Sequence, residues 1–260
     1  MRERGVTAQE PAHAAVARRP LAQRLFYWLA WSSVQGVVTA LYRLRRFNLE
    51  RVPRSGPVLL VANHQSHLDP PIVAFCVRSR QYRPLARESL FRNRVFGGAI
   101  RALNAVPLKE NEGDLGAIRT AIELLRQGEP VAIFPEGTRT PDGAMHEFKR
   151  GVTVLLRRAE CTIVPLAIEG AYDAFPRHRR FPRFFGPRVA VMVGRPVHSS
   201  ELMRDGPDAA LRRLEREIDA MRLTLRSRLR ASSHGRWPRP SPGDEPSFDQ
   251  APRKPLTLAS

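Results

Sequence analysis

The chain has 260 residues, and its 43 Lys and Arg against 25 Asp and Glu give a formal net charge of +18. This length allows one domain with a full hydrophobic core, and a hydrophobic content of 42% excludes a chain that is disordered throughout. The positive charge favours a polyanionic partner, and net charge alone leaves nucleic acid, an anionic lipid surface and an acidic carrier protein open.

The two cysteines, Cys76 and Cys161, lie in apolar surroundings without metal-ligand spacing. This setting indicates reduced core residues rather than a disulfide or a metal site.

The first two segments are a polar tail and an apolar stretch. Residues 1–20 lack the apolar core of a secretory signal and are typical of a disordered basic tail. Residues 21–47 contain the nearly uncharged stretch 25–42, which is flanked by arginines. This stretch is barely long enough to span a bilayer, and Ser32 and Gln35 lower its hydrophobicity. We therefore expect an apolar membrane-associating helix at the bilayer surface, with a transmembrane span and an ordinary buried helix as alternatives.

Residues 48–230 predict a single α/β domain. Short apolar runs alternate with helical periodicity, a pattern typical of a mixed, largely parallel central sheet flanked by helices. The strands are expected at residues 58–62, 131–134, 163–168 and 188–193. One amphipathic helix is expected from Asp114 to Gly128, and another begins near Lys149.

The first of these strands ends on the polar sequence NHQSHLD, which contains His64 and Asp69. Ligand crevices of open α/β sheets lie at the carboxyl ends of the strands, so both side chains are expected at such an edge. A carboxylate that holds one imidazole nitrogen makes the other a competent general base. Because five residues separate the pair, a turn has to bring Asp69 back to His64, and Pro70 and Pro71 suit such a turn.

This motif alone leaves other roles open. The pair also occurs by chance as a structural contact, and His67, which has no carboxylate at matching spacing, is expected at the surface or at a helix end. Zinc binding by His64, His67 and Asp69 is less favoured, because no further ligand is clustered with them, and no metal is expected. Without a Ser or Cys in a GxSxG setting, direct activation of an acceptor hydroxyl is favoured over a covalent acyl-enzyme.

A second apolar strand ends on the sequence PEGTRT at residues 135–140. It brings the carboxylate of Glu136 and the guanidinium of Arg139 to the same edge of the sheet as His64. A planar guanidinium beside backbone amides is a suitable phosphate clamp. A surface turn with a local Glu–Arg pair is the alternative for this segment in isolation.

The last third of the chain predicts a basic aromatic loop, a helix and a tail. Residues 174–188 combine five arginines with four phenylalanines, which suits an anionic headgroup layer, single-stranded nucleic acid, or a solvated loop with some rings in the core. Membrane docking is favoured, since no nucleic-acid-binding motif is present.

Residues 208–230 carry one apolar stripe against a charged face, which predicts a terminal helix packed on the domain. Residues 231–260 are rich in Pro and Arg and are expected to be disordered.

Together, NHQSHLD and FPEGTR resemble the glycerolipid acyltransferase family typified by 1-acylglycerol-3-phosphate acyltransferases. The similarity extends to FKRGVTVLL at residues 148–156, IVPLAIEG at 163–170 and VGRPV at 193–197. It covers about residues 45–225 and leaves both tails outside.

The resemblance implies roles for individual residues. His64 is implied to be the general base that deprotonates the acceptor hydroxyl, with Asp69 orienting its ring. Arg139 is implied to face the acceptor phosphate, and Pro165 to lie near the reaction centre. The acceptor site is implied to be shaped by the four residues Glu136, Gly137, Thr138 and Arg139.

One block departs from the family pattern. The family's second block commonly reads Gly-x-x-Pro-Val-x-Arg, whereas this chain has NAVPLKE at residues 104–110. Asn104 therefore replaces the Gly, and Glu110 stands where a phosphate-binding Arg is expected. Lys109 is a candidate substitute one position earlier. The change argues against a lysophosphatidic acid headgroup in particular and leaves acyl transfer itself untouched.

The sequence thus predicts an O-acyltransferase that moves a fatty acyl chain from acyl-coenzyme A or acyl carrier protein to the hydroxyl of a lysophospholipid. The most direct case converts 1-acylglycerol-3-phosphate to phosphatidic acid, with no cofactor beyond the acyl donor. The protein is expected at the cytoplasmic face of an anionic membrane, peripheral or monotopic, with no nucleic acid partner. The alternatives are the same chemistry on another lyso-lipid, and a non-catalytic basic membrane- or nucleic-acid-binding protein on this scaffold.

Overall fold

The computed structural model describes residues 21–78, 82, 84–92, 97–98, 100, 105–108 and 113–248. Within them the α-helices are α1 (Leu21–Tyr42), α2 (Asp69–Ala74), α3 (Gly113–Arg126), α4 (Val152–Arg158), α5 (Ala171–Ala174), α6 (Ser199–Leu202) and α7 (Pro207–Ser232). The strands are β1 (Arg45–Phe47), β2 (Val58–Ala62), β3 (Leu85–Arg87), β4 (Val106–Leu108), β5 (Pro130–Ile133), β6 (Thr162–Glu169), β7 (Ala190–Val193) and β8 (Val197–His198). Short 3-10 helices lie at Leu49–Arg51, Glu88–Phe91 and Pro242–Asp244.

The main sheet has six strands of mixed direction. Its order is β1-β7-β6-β2-β5, and β8 pairs with β6 outside that path. β2 runs parallel to β5 and β6, and β1 runs parallel to β7, whereas β6 is antiparallel to β7 and β8. β3 and β4 form a separate parallel pair. The predicted α/β domain with a mixed, mostly parallel sheet flanked by helices is therefore confirmed.

Alternate residues of β2 face two different helix layers. Leu59 and Val61 pack in the core formed with α3, α4 and α7. Val58, Leu60 and Ala62 pack in the core formed with α1 and α2. Burial on both faces explains why β2 is an unbroken apolar run, as in other central parallel strands. The polar residues that follow β2 consequently emerge at the carboxyl edge of the sheet.

The predicted strands agree with β2, β5, β6 and β7 to within two residues at each end. Strands β1, β3, β4 and β8 were not predicted, because two or three residues are too few to show a periodicity. The predicted terminal helix is α7, and it packs on the sheet through its apolar stripe as expected.

The first helix, α1, covers the predicted apolar stretch. Tyr27 and Tyr42 are buried against the domain, whereas Leu25 and Leu29 are more than 60% exposed. α1 therefore presents one face to the protein and an apolar face to its surroundings. Among the helices of the described residues, none is both long enough and apolar enough to cross a membrane.

Residues 233–248, which we call the C-terminal segment, lie against α7. Arg222 donates to the carbonyl oxygen of Gly243 at 2.6 Å, and Arg226 donates to that of Arg239 at 2.6 Å. The structure therefore differs here from the disorder expected after residue 230, because buried guanidinium groups rather than an apolar stripe hold the segment. The remaining parts of the two expected tails, 1–20 and 249–260, lie outside the described residues.

Candidate active site

His64 and Asp69 meet beyond the carboxyl end of β2. The Nδ1 atom of His64 lies 2.8 Å from Oδ2 of Asp69. The Asp69 side chain is fully buried, whereas that of His64 is 18% exposed. A carboxylate at Nδ1 favours the tautomer with its proton on that nitrogen, so Nε2 is the atom available to accept a proton from a substrate.

The turn between the two residues is built around the carboxylate of Asp69. Its Oδ2 atom also accepts hydrogen bonds from the backbone N–H groups of Gln65 and Ser66, both at 2.6 Å. Asp69 begins α2, and Pro70 and Pro71 occupy the first turn of that helix, where proline is tolerated. Three donors on one oxygen fix the carboxylate, and the carboxylate in turn fixes the imidazole ring.

Asn63 ties this turn to the neighbouring strand β6. Its Nδ2 atom donates to the carbonyl oxygen of Ile168 at 2.9 Å, and its Oδ1 atom accepts from the N–H of Ile168 at 2.7 Å. This two-point contact extends the pairing of β2 with β6 beyond the end of β2. The residue next to His64 is therefore anchored to the sheet.

The turn after β5 packs directly against the imidazole. The rings of Phe134 and His64 are stacked with centroids 4.2 Å apart. The N–H of Thr140 donates to the carbonyl oxygen of His64 at 2.9 Å. Gly137 has φ of 72°, and a Cβ atom there would lie 2.3 Å from Cε of Lys149. Position 137 therefore favours glycine for its backbone conformation, whereas the end of the Lys149 side chain can move to make room for a Cβ atom.

Glu136 joins the two turns through the backbone. Its Oε1 atom accepts from the N–H of His64 at 2.6 Å, and its Oε2 atom accepts from the N–H of His146 at 3.0 Å. Glu136 is 5% exposed. Burial raises the pKa of its carboxyl to about 8, although the two N–H donors oppose that shift. Both carboxyl oxygens of Glu136 therefore bond to backbone and hold the two turns together, and its implied part in shaping the acceptor site stays a prediction.

Thr138 and Arg139 lie at the exposed rim beside the imidazole. The Nη1 atom of Arg139 contacts Nε2 of His67, and Nη1 of Arg177 donates to Oγ1 of Thr138 at 3.3 Å. Partial burial, together with the charge of Arg139, lowers the pKa of His67, which favours its neutral form. His67 is exposed, as the sequence predicts. Its contact with Arg139, and the presence of Arg177 at the rim, could not be read from either motif.

A cleft of about 300 Å³ opens beside His64. Its walls are mainly apolar side chains of α3, β5 and α4, among them Ile118, Ile133, Val152 and Leu155. An apolar cleft of this kind suits a hydrocarbon chain. A larger cavity of about 510 Å³ lies under α1, and His64 is not part of its lining. The smaller cleft is therefore the one relevant to chemistry at the imidazole.

Pro165, which the resemblance implies near the reaction centre, is not among the residues that line this cleft. Pro165 lies in the middle of β6, and a Cβ atom on Gly194 would come within 2.7 Å of the Pro165 ring. Its ring therefore packs beside Gly194, just after the end of β7, and its implied place near the reaction centre stays a prediction. Lys109 lies outside the described residues, as do Asn104 and Glu110, so its role stays a prediction.

A buried charged network lies behind the first turn. Gln65 donates through Nε2 to Oε2 of Glu169 at 3.1 Å. Glu169 in turn pairs with Arg226 at 2.6 Å and with Arg222 at 3.4 Å. All four residues are buried. The sequence pattern assigns Arg222 and Arg226 to the charged face of the terminal helix, whereas the structure buries both of them against Glu169.

The arrangement at His64 suits proton abstraction from a hydroxyl group. A proton taken up by Nε2 creates an imidazolium, which the buried carboxylate of Asp69 stabilises. Within the described part of the chain, no group of three or more His, Cys, Asp or Glu side chains is placed to hold a metal ion.

The chain is similar to known acyltransferases. Residues 43–169 match the family model described as Acyltransferase. Over 187 residues the chain is 27% identical to a chloroplastic 1-acyl-sn-glycerol-3-phosphate acyltransferase of Arabidopsis thaliana, a match that covers 70% of this chain and 51% of that protein. It is 24% identical over 187 residues to the 1-acyl-sn-glycerol-3-phosphate acyltransferase of Bacillus subtilis (strain 168), covering 67% of this chain and 89% of that protein.

The crystal structure of the 1-acyl-sn-glycerophosphate (LPA) acyltransferase PlsC from Thermotoga maritima matches this fold with a TM-score of 0.60 and 27% sequence identity. That match covers 75% of this chain and 80% of the other. The chain spans about half the length of the chloroplast relatives from Arabidopsis thaliana and Brassica napus, 51% and 49% respectively. The residues matched by the family model include both turns of the site and end with β6, so α7 and the C-terminal segment lie beyond them.

Proposed function

We propose that the chain is a 1-acyl-sn-glycerol-3-phosphate acyltransferase-like enzyme, which transfers a fatty acyl chain from a thioester to the free hydroxyl of a lysophospholipid. The observation that carries this proposal is the 2.8 Å contact between His64 and the buried Asp69, at the edge of an apolar cleft. The names of the relatives support 1-acylglycerol-3-phosphate as the acceptor and phosphatidic acid as the product.

The proposed reaction is a direct acyl transfer. Nε2 of His64 takes the proton of the acceptor hydroxyl while its oxygen attacks the thioester carbonyl carbon. The tetrahedral intermediate then expels the thiolate, and the imidazolium returns the proton to the sulfur. Asp69 stabilises the imidazolium between these steps. The products are an oxygen ester and a free thiol, and no cofactor beyond the acyl donor is required.

Arg139 is the proposed contact for the acceptor phosphate. It lies on the same turn as Glu136, whose carboxyl group bonds to the backbone of His64, and its guanidinium contacts the ring of His67 in the turn that carries the base. Thr138 adds a hydroxyl at the same rim, and Lys109 is proposed as a further cation in place of the missing arginine of the second block. The backbone conformation of Gly137 allows the turn to present these groups.

The proposed setting is the cytoplasmic surface of an anionic membrane. The apolar outer face of α1, with Leu25 and Leu29 exposed, and the net charge of +18 support peripheral or monotopic association. A basic surface suits the phosphates of acyl-coenzyme A as well as an acidic acyl carrier protein, so both donors belong in the test.

Two alternative functions are each supported by one specific observation. Glu110 in place of the expected arginine favours an acceptor other than lysophosphatidic acid, with the same chemistry. The strong basic charge favours a non-catalytic membrane- or nucleic-acid-binding protein on an acyltransferase scaffold, although His64, Asp69 and Arg139 are all present.

Thiol release by the purified full chain in detergent tests the proposal. Palmitoyl-coenzyme A and palmitoylated carrier protein are each offered with lysophosphatidic acid, with other lysophospholipids and with no acceptor, and the lipid product is identified by mass spectrometry. Release that depends on an acceptor supports the transferase and identifies its substrates. Absence of release with every pair, from folded protein that still binds lipid, contradicts it and favours the binding-protein alternative.

A further inference from the structure

The loop between α5 and β7 exposes three aromatic rings to its surroundings. Phe181, Phe184 and Phe185 are 69%, 53% and 76% exposed. In the described residues outside α1, Leu115 is the other large hydrophobic side chain with comparable exposure, at 63%. Three such rings within five residues concentrate exposed apolar surface in one loop, which water disfavours and which is typical of a contact surface.

The same loop carries two exposed arginines, Arg179 and Arg180. They form no ion pair with any residue that the structure describes. The Arg180 guanidinium lies 5.7 Å from the centre of the Phe181 ring. Guanidinium groups beside exposed aromatic rings match a surface with phosphate charges above a hydrocarbon layer.

The loop is held by packing at its base. The N–H of Arg183 donates to the carbonyl oxygen of Ala174 at 2.7 Å, and its guanidinium lies 5.3 Å from the ring of Trp237 in the C-terminal segment. Arg239 stacks on the same ring at 4.9 Å. The exposed rings therefore project from an anchored loop, and their exposure is a feature of the folded chain.

The amino-terminal part of the loop touches the proposed active site. Arg177 donates to Oγ1 of Thr138, and the ring of Phe175 lies 4.7 Å from that of His67. The carbonyl oxygen of Phe175 accepts from Oγ of Ser66, inside the NHQSHLD turn, at 2.8 Å. A surface bound by this loop would be close to the rim of the cleft.

From these contacts we infer that residues 175–187 dock the protein on an anionic phospholipid bilayer. The three phenylalanines lie at the boundary between the headgroups and the acyl chains, and Arg179 and Arg180 lie at the lipid phosphates. Docking there presents the rim of the cleft to lipids in the same leaflet. This inference deepens the proposed function, because it names the surface from which that site takes its acceptor.

Vesicle sedimentation of the full chain tests the inference. The vesicles are phosphatidylcholine with or without phosphatidylglycerol, and α1 is present in every variant. The variant Phe181→Ser, Phe184→Ser, Phe185→Ser should bind anionic vesicles about a hundredfold less tightly, at about fivefold per ring. Arg179→Ser with Arg180→Ser should weaken binding about twentyfold to anionic vesicles and little to neutral ones.

Two control variants match these changes elsewhere on the surface. Leu115→Ser removes an equally exposed apolar side chain, and Arg157→Ser with Arg158→Ser removes two exposed arginines of α4. Both controls should bind vesicles like the wild type. Transfer to a short-chain acceptor below its micellar concentration should be unchanged in the phenylalanine variant, since no membrane is involved.

The outcomes separate the two proposals. Wild-type vesicle affinity in the phenylalanine variant overturns the docking inference, whether or not the protein transfers acyl chains. Loss of affinity for a single-stranded oligonucleotide, with vesicle affinity kept, overturns it in favour of nucleic acid. Loss of vesicle affinity in a chain that shows no acyl transfer with any acceptor supports docking and contradicts the proposed function.

Discussion

Replacing Glu136 with Gln tests the physical account of the carboxylate that joins the two turns. Burial raises the pKa of Glu136 from 4.5 to about 8. Between these values the folded chain keeps a proton that the unfolded chain has released, so the free energy of unfolding falls as the pH rises. The loss is about 1.4 kcal/mol per pH unit, or about 4 kcal/mol between about pH 5 and about pH 9. Glutamine does not titrate, so the variant should lack this slope.

The variant also has a cost that is independent of pH. The Gln amide replaces one acceptor oxygen by an NH₂ group, which then faces the N–H of either His64 or His146. One unsatisfied pair of this kind costs about 1 to 3 kcal/mol. The variant should therefore be less stable than the wild type at low pH, and the difference should shrink or change sign above the pKa of Glu136.

Urea unfolding across a pH series measures both effects. The free energy of unfolding is plotted against pH for the wild type and for Glu136→Gln, and the two curves are compared. Glu160→Gln is the matched control, because Glu160 is exposed. Parallel curves for the wild type and Glu136→Gln would refute the reasoning, since they would mean that Glu136 titrates alike in the folded and unfolded chain.

Three further variants test the turns and the network behind them. Asp69→Asn should lower kcat about a hundredfold to ten-thousandfold with little change in KM, and unchanged kcat would contradict the role of Asp69 in orienting the base. Gly137→Ala places a Cβ atom against Lys149 at a positive φ and should lower the free energy of unfolding by about 1 to 3 kcal/mol in thermal melts. Arg226→Met leaves the buried carboxylate of Glu169 with less compensation and should cost about 3 to 5 kcal/mol in urea, whereas wild-type stability would show that this pair is dispensable.

The two turns of the site could be predicted from the sequence because each directly follows an apolar strand. β2 and β5 are hydrogen-bonded neighbours, so the residues that follow them emerge side by side. That arrangement brought His64, Asp69 and Arg139 to one edge, as expected. The partners of Glu136 and Arg139 could not be predicted in the same way. Glu136 bonds to backbone N–H groups, and such a contact depends on the path of both turns rather than on residue type.

The arginines of α7 show a different limit of the sequence pattern. Arg222 and Arg226 belong by composition to the charged face of an amphipathic helix, yet both are buried. Their guanidinium groups pair with Glu169 and donate to carbonyl groups of the C-terminal segment. Neither charge is therefore buried without a partner. Hydrophobic periodicity contains no information on such pairs. The ordered C-terminal segment was missed for the same reason.

The proposed function depends on proton transfer by one imidazole, and His64→Ala tests it most directly. The initial rate of thiol release is measured with the donor and acceptor pair that the wild type uses best, with His146→Ala as the control, since that side chain is exposed. The account predicts a fall of about a hundredfold to ten-thousandfold for His64→Ala, with folding and vesicle binding retained, and a near wild-type rate for the control. A wild-type rate in His64→Ala would contradict it.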